Sequence, residues 1–145
     1  MHRILIVEDD LMIADLIETL LASEGYEVIG VARTVTQAVE LCRLRKPEYA
    51  IIDLRLADGG IGTEVVGELG GLNGLGVIYA SDNASGVPLT SAHGIGFVSK
   101  PYRPRDLLRA LAIVIDINTD GHSALAHPTG FRVLRPSPVA GAILA

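Results

Sequence analysis

The chain has 145 residues, of which 49% are hydrophobic and 20% are charged, which suits one domain with a proper core and is too short for two. Its formal charge of −5 and its 12 scattered lysines and arginines argue against direct binding to nucleic acid. The single cysteine, Cys42, cannot form an internal disulfide, and no stretch approaches the about 20 apolar residues of a membrane span, so we expect a soluble, cytoplasmic protein.

Short apolar runs alternate with helical patterns along most of the chain. The predicted strands cover residues 4–7, 28–32, 49–52, 77–80 and 96–99. The predicted helices run from Asp10 to Gly25, from Thr34 to about Arg45, weakly over 63–69, and from Pro104 to about Asn118. This alternation predicts a parallel sheet with helices on both faces.

The first predicted helix is amphipathic. Asp10 is placed to cap its N-terminus and Gly25 to end it. Its apolar residues recur at helical spacing, which predicts a core-facing stripe of Ile13, Leu16, Ile17, Leu20 and Leu21.

Two later segments are less regular. Residues 84–93 contain Gly86 and Pro88, so a fourth helix there is expected to be short or irregular. Residues 119–145 carry three prolines, three glycines and no usable period, which predicts a flexible C-terminal tail. The tail residues that could dock on the domain are Phe131, Val133 and Leu134.

Acidic residues follow two of the predicted strands where each strand ends. Glu8 and Asp9 come directly after the first strand, and Asp53 comes directly after the third. The carboxyl ends of parallel strands form the edge at which open α/β sheets place their chemistry, so these acids are expected to share a pocket. Crowded carboxylates need a neutralising cation, and their hard oxygen atoms suit Mg²⁺. The sequence therefore predicts a divalent metal site.

Ser81 after the fourth strand and Lys100-Pro101 after the fifth complete a recognisable pattern. With these residues the chain resembles, over about residues 2–118, the CheY-like receiver domain of two-component response regulators. The resemblance implies a flavodoxin-like, doubly wound sheet of five parallel strands in the order 2-1-3-4-5. We therefore expect a receiver domain over residues 1–118, followed by the tail.

The resemblance also implies the chemistry of the pocket. Asp53 would accept a phosphoryl group from a sensor histidine kinase or a histidine phosphotransfer protein, and Ser81 and Lys100 would contact that group. Charge builds up during phosphoryl transfer, so a metal and a cation are useful there. The implied Mg²⁺ ligands are Asp9, Asp53, the backbone carbonyl of Arg55 and, through water, Glu8.

The same resemblance predicts how a signal would leave the pocket. Phosphorylation would draw Ser81 and Lys100 inward, and Phe97 matches the position of a rotating aromatic switch, so a protein-binding surface would change shape. The Lys100–Pro101 peptide bond is expected to be cis. Arg55 and Asn83 match positions that tune hydrolysis of the phosphoaspartate.

Three functions remain open at this point. The leading one is a stand-alone phosphorylation-dependent switch that catalyses only its own phosphorylation and dephosphorylation. The second is a pseudo-receiver that binds proteins regardless of phosphate. The third, a phosphatase, would need a second acid where Arg55 stands. The downstream target is unknown, a homodimer is conceivable, and no direct nucleic-acid or membrane partner is expected.

Overall fold

The structure, a computed structural model, describes residues 1–82 and 86–137. Its strands are β1 Arg3–Val7, β2 Glu27–Ala32, β3 Tyr49–Ile52, β4 Gly76–Asp82, β5 Gly96–Lys100 and β6 Phe131–Val133. Its helices are α1 Leu11–Ser23, α2 Val35–Arg45, α3 Thr63–Glu68 and α4 Pro104–Asp120. Within the described ranges, none of these helices combines the length and the apolar character needed to span a membrane.

The strands form one sheet in the order β2-β1-β3-β4-β5-β6. Strands β1 to β5 pair in parallel, which confirms the predicted order and the α/β class. Strand β6 was not predicted, and it pairs antiparallel with β5.

An apolar cluster covers each face of the sheet. On one face, α1 and α4 pack over β1, β3 and β4 through residues such as Ile17, Leu21 and Leu107. On the other face, α2 and α3 contribute Val39 and Val65. Because helices cover both faces, the central strand β3 is buried along its whole length, as its uncharged sequence predicts.

The predicted core-facing stripe of α1 is wrong in part. Ile17 is 4% exposed and Leu21 is fully buried, but Leu16 is 71% exposed, and Ala14 at 2% takes a core position instead. The helix also carries exposed Leu11 and Met12, so apolar residues surround much of it and the sequence supports more than one stripe.

The segment between β4 and β5 contains no helix among its described residues 86–95, where a turn at residues 91–93 is the regular feature. The Tyr79 hydroxyl anchors this segment by donating a hydrogen bond to the carbonyl of His93 at 2.8 Å. Pro88 and Gly86 explain the irregularity, because both disfavour a helix interior.

The predicted tail is partly structured. Helix α4 continues to Asp120 and ends at Gly121, which adopts the left-handed conformation with φ 84°. Beyond it, β6 joins the sheet; its first residue, Phe131, is 8% exposed, and Leu134, which follows the strand, is 5% exposed. Residues 138–145 lie outside the described ranges.

Candidate functional site

Backbone hydrogen bonds hold the acid-bearing strand ends level. Val7 lies opposite Ile52 in the sheet, and the amide of Asp53 donates to the carbonyl of Val7 at 2.8 Å. The amide of Glu8 donates to the carbonyl of Ala32 at 2.9 Å, which ties the end of β1 to the end of β2. The side chains of Glu8 and Asp53 therefore leave the sheet at the same edge.

Asp53 lies at the centre of a buried polar cluster. The hydroxyl of Ser81 donates to its Oδ1 atom at 2.9 Å, and the ammonium of Lys100 donates to its Oδ2 atom at 3.0 Å. The same ammonium donates to Oε1 of Glu8 at 2.9 Å. Asp53, Glu8 and Ser81 are all buried. The structure thus brings together residues that are up to 92 positions apart in the chain.

The two acids respond differently to this environment. Burial raises the pKa of Glu8 to about 7, since the hydrogen bond from Lys100 offsets only part of that effect and Asp53 adds repulsion. Burial also acts on Asp53, but hydrogen bonds with Lys100, Glu8 and Ser81 outweigh it and hold the Asp53 pKa below its ordinary value. Burial opposes the charge on Lys100, yet its two carboxylate partners raise the pKa above the ordinary range. A lowered pKa favours the ionised form of the Asp53 carboxylate at neutral pH.

The acids form a donor set that fits a hard cation. Glu8, Asp9 and Asp53 each offer a carboxylate oxygen, and these atoms lie within 4.8 Å of one another. Two oxygen atoms bound to one Mg²⁺ at about 2.1 Å are at most about 4.2 Å apart, so only a small contraction is needed. The residues present therefore fit Mg²⁺. The amide of Arg55 also points into this region and donates to Oδ1 of Asp53 at 3.3 Å.

The structure describes most of the other predicted residues. The Lys100–Pro101 peptide bond is cis, the geometry that the resemblance implies. Phe97 is 3% exposed in the cluster on the α2 and α3 face. Asn83 lies outside the described residues. Asp10 caps α1 by accepting hydrogen bonds from two amides of its first turn.

Three residues near the site were not singled out from the sequence. A Cβ atom on Gly62 would collide with the carbonyl oxygen of Asp53 and lie 2.7 Å from Ile52, so only glycine fits beside Asp53. The guanidinium of Arg33 donates to the carbonyl of Asp9 at 3.3 Å. The guanidinium of Arg132 lies 4.9 Å from the centre of the Phe97 ring. Arg33 follows the end of β2, so the strand-end rule could have found it, whereas Arg132 lies in a segment without a usable period.

Comparison with known proteins gives a family and several relatives. The model of the response regulator receiver domain matches residues 4–112. The Phyllosphere-induced regulator PhyR of Methylorubrum extorquens is 43% identical over 68 residues, which is 46% of this chain and 26% of PhyR. The uncharacterised transcriptional regulatory protein YbdJ of Bacillus subtilis is 31% identical over 129 residues, which is 87% of this chain and 56% of YbdJ. The chain thus spans between about a quarter and about half of these curated relatives.

A solved structure agrees with the sequence comparison. The CheY-like response regulator receiver domain protein of Methanospirillum hungatei superposes with a TM-score of 0.71 at 29% identity. The match covers 83% of this chain and 98% of that protein. The similarity therefore extends over nearly the whole of a receiver domain.

Proposed function

Because the chain belongs to the response regulator receiver domain family, we propose that Asp53 accepts a phosphoryl group in a Mg²⁺-dependent reaction and that this switches a protein-binding surface. The donor would be a histidine kinase or a histidine phosphotransfer protein in the cytoplasm. The observation that carries the proposal is the set of contacts around Asp53, which is ionised, buried and hydrogen-bonded to both Ser81 and Lys100.

Each side chain has a task in this reaction. An Asp53 oxygen attacks the phosphorus atom, forming the acyl phosphate as the bond between phosphorus and the donor nitrogen breaks. The Lys100 ammonium and the Ser81 hydroxyl, which bond to Asp53 beforehand, contact the oxygen atoms of the arriving group. A bound Mg²⁺ held by Glu8, Asp9 and Asp53 would neutralise charge on the transferring group.

The switch would run through the ends of β4 and β5. Ser81 is opposite Ser99 in the sheet, and Asp82 is opposite Lys100, so the two residues that sense the phosphoryl group lie on adjacent strands. Once Asp53 carries new acceptor oxygens farther from its backbone, both donors must move to follow them. Phe97 lies on the same strand as Lys100, which makes it a candidate to report that movement.

A docking surface for the donor protein lies beside the polar cluster, because Lys100 belongs to both. An apolar groove of about 700 Å³ lies between α1 and the start of α4, and its lining includes Leu16, Leu20, Lys100 and Tyr102. The exposed residues Leu11 and Met12 belong to the same helix α1. A helix of the phosphodonor protein that packs here would bring its phosphohistidine to the sheet edge.

The alternative is a pseudo-receiver that binds partners regardless of phosphate. The segment 86–95 favours it, because no helix forms among these residues and the usual output surface of the family is altered. The complete acidic pocket favours the switch instead, since a constitutive binding module has no use for a lysine held by two buried carboxylates.

Covalent modification separates the two functions. The protein is incubated with Mg²⁺ and acetyl phosphate, and the intact mass is measured. We expect one added phosphoryl group in wild type and in Asp58→Asn, a matched control that removes a nearby acid whose carboxylate accepts from the Gly60 amide. Asp53→Asn should remain unmodified. An unmodified wild type would leave the pseudo-receiver as the function, and a modified Asp53→Asn would refute the assignment of the acceptor.

A further inference from the structure

Strand β6 closes the outer edge of β5 with backbone hydrogen bonds. The amide of Ser99 donates to the carbonyl of Gly130 at 3.0 Å, and the amide of Leu134 donates to the carbonyl of Ile95 at 2.8 Å. Between them, Phe97 is opposite Arg132. Antiparallel alternation then turns the amides of Phe97 and Ser99 towards β6, while the amide of Val98 faces β4. Without β6, a row of unpaired donors and acceptors would be open to another strand.

The side chains of β6 also pack against β5 on both faces of the sheet. Phe131 lies so close to β5 that a Cβ atom on Gly96 would be 2.8 Å from its ring. On the opposite face, the guanidinium of Arg132 stacks over Phe97, and Leu134 is buried in the same cluster as Phe97. The pattern Phe-Arg-Val-Leu therefore fits this edge on both sides.

The strand that β6 covers is the one that carries Lys100. The contact between Ser99 and Gly130 is tight, because a Cβ atom on Gly130 would lie 2.6 Å from the Ser99 hydroxyl. Ser99 is adjacent to Lys100 in the chain and opposite Ser81 in the sheet. A shift of Ser81 and Lys100 towards Asp53 would thus act first on the pairing of Ser99 with the start of β6.

We propose that β6 is a displaceable cap on the β5 edge, and that an extended partner segment with the Phe-Arg-Val-Leu pattern pairs with β5 in its place. Phosphorylation of Asp53 displaces the cap by drawing the end of β5 inward. This regulation by phosphorylation rests on the function proposed above. The partner binds by strand addition, with main-chain hydrogen bonds for affinity and the two flanking clusters for specificity.

The size of β6 suits a reversible contact. The strand has three residues, whereas β4 has seven, and it joins the sheet at its edge. Short edge elements open locally far more often than the central strands of a sheet. The cap can therefore exchange with a competing segment while the rest of the sheet stays folded.

Hydrogen exchange of single amides tests the displacement in the wild-type chain. Adding Mg²⁺ and beryllium fluoride, a phosphoryl mimic, should accelerate exchange of the Phe97 and Ser99 amides by about tenfold. The Val98 amide, which faces β4, should not change. If the Phe97 and Ser99 amides exchange at the same rate with and without beryllium fluoride, and acetyl phosphate adds a phosphoryl group to the chain, the cap is overturned but the proposed function is not. Equal acceleration of all three amides would overturn it too, since the whole strand would then loosen.

A synthetic peptide of residues 128–137 tests the partner, with a scrambled peptide of the same composition as the control for charge. Arg132→Pro removes an amide that faces β5, so this variant should bind the peptide at least about tenfold more tightly than wild type without phosphorylation. Val133→Pro is the matched control, because the alternation turns its amide away from β5, and Arg132→Ala controls for the lost guanidinium. Val133→Pro should resemble wild type, and Arg132→Ala, which keeps the amide and loses only the stacked guanidinium, should bind the peptide less tightly than Arg132→Pro.

The outcomes separate clearly. If Arg132→Pro binds the peptide but wild type takes up no phosphoryl group from acetyl phosphate, the cap is supported and its regulation by phosphorylation is refuted. Binding of the scrambled peptide as tight as that of the native one would overturn the partner assignment. Dimerisation of Arg132→Pro in place of peptide binding would also overturn it, and would assign the edge to a second copy of the chain.

Discussion

Removing the lysine at the site should expose how much of the fold depends on its charge. The ammonium of Lys100 lies 2.9 Å from Glu8 and 3.0 Å from Asp53, and the side chains of these acids are only 4% and 10% exposed. Lys100→Met keeps most of the apolar stem and deletes the cation. Two buried carboxylates then face each other without a counter-charge.

The expected loss is about 3 kcal/mol in the free energy of unfolding at pH 8, at the lower end for breaking a buried ion pair by removing one partner. The variant can reduce the loss by taking up a proton, because Glu8 already has a pKa of about 7 with the lysine present. Without the lysine, the folded-state pKa values of both acids rise above the unfolded ones. Such groups lose stability as pH rises, so the deficit relative to wild type should be smaller at pH 6 than at pH 8.

Urea denaturation at both pH values, with and without Mg²⁺, measures these effects. Mg²⁺ should stabilise Lys100→Met more than wild type, since it replaces the missing positive charge. Arg105→Met is the matched control, because Arg105 is exposed and the substitution changes the net charge equally. Equal unfolding free energies for the two variants, with equal responses to Mg²⁺, would refute this electrostatic reasoning.

Four further outcomes are expected. Ser81→Ala should slow phosphorylation by acetyl phosphate about tenfold in a mass-spectrometric time course, since a hydrogen bond to a charged group is lost, and an unchanged rate would rule out this contribution. Because Glu8 has a pKa of about 7, calorimetry should find tighter Mg²⁺ binding at pH 8 than at pH 6, and Glu8→Gln should weaken this pH dependence. Arg55→Asn should shorten the lifetime of the phosphorylated protein if the side chain shields the acyl phosphate from water, and an unaltered half-life would contradict the shielding. Ile17→Ala should cost about 2–4 kcal/mol in the unfolding free energy and Leu16→Ala under about 0.5 kcal/mol, and similar losses would contradict the observed orientation of α1.

The central strands and the acidic pocket were predictable because each rests on a local signal. The β3 sequence Tyr-Ala-Ile-Ile is uncharged and stops abruptly at Asp53, and β1 stops in the same way at Glu8. Burial on both faces requires such a run, and the parallel arrangement brings the strand ends to one edge. The strand ends therefore sufficed to predict that Glu8 and Asp53 lie together, and the resemblance to the receiver domain added Ser81 and Lys100.

The orientation of α1 was not fixed by the same kind of signal. Ile17 and Leu21 belong both to the predicted stripe and to the observed one, whereas Leu16 belongs only to the first and Ala14 only to the second. Helical periodicity cannot choose between two overlapping stripes that share residues. The choice is made by α4, whose Leu107 packs in the same cluster as Ile17. This cluster joins residues far apart in the sequence.

The irregular conformation of the described residues 86–95 and the unexpected strand β6 depend on each other. Among the described residues 86–95, Val87 and Leu89 cover only part of the sheet face that holds Phe97 and Tyr79. Leu134 buries its side chain in that same cluster, and the amide of Ser91 donates to the carbonyl of Arg135 at 2.9 Å. The C-terminal segment thus covers apolar surface that a helix at 86–95 would otherwise be needed to shield, and it pairs the β5 edge as well. Neither segment has a strong local preference for helix or strand, so the conformation of each depends on its contacts with the other. Sequence patterns that consider each segment alone therefore do not predict these conformations.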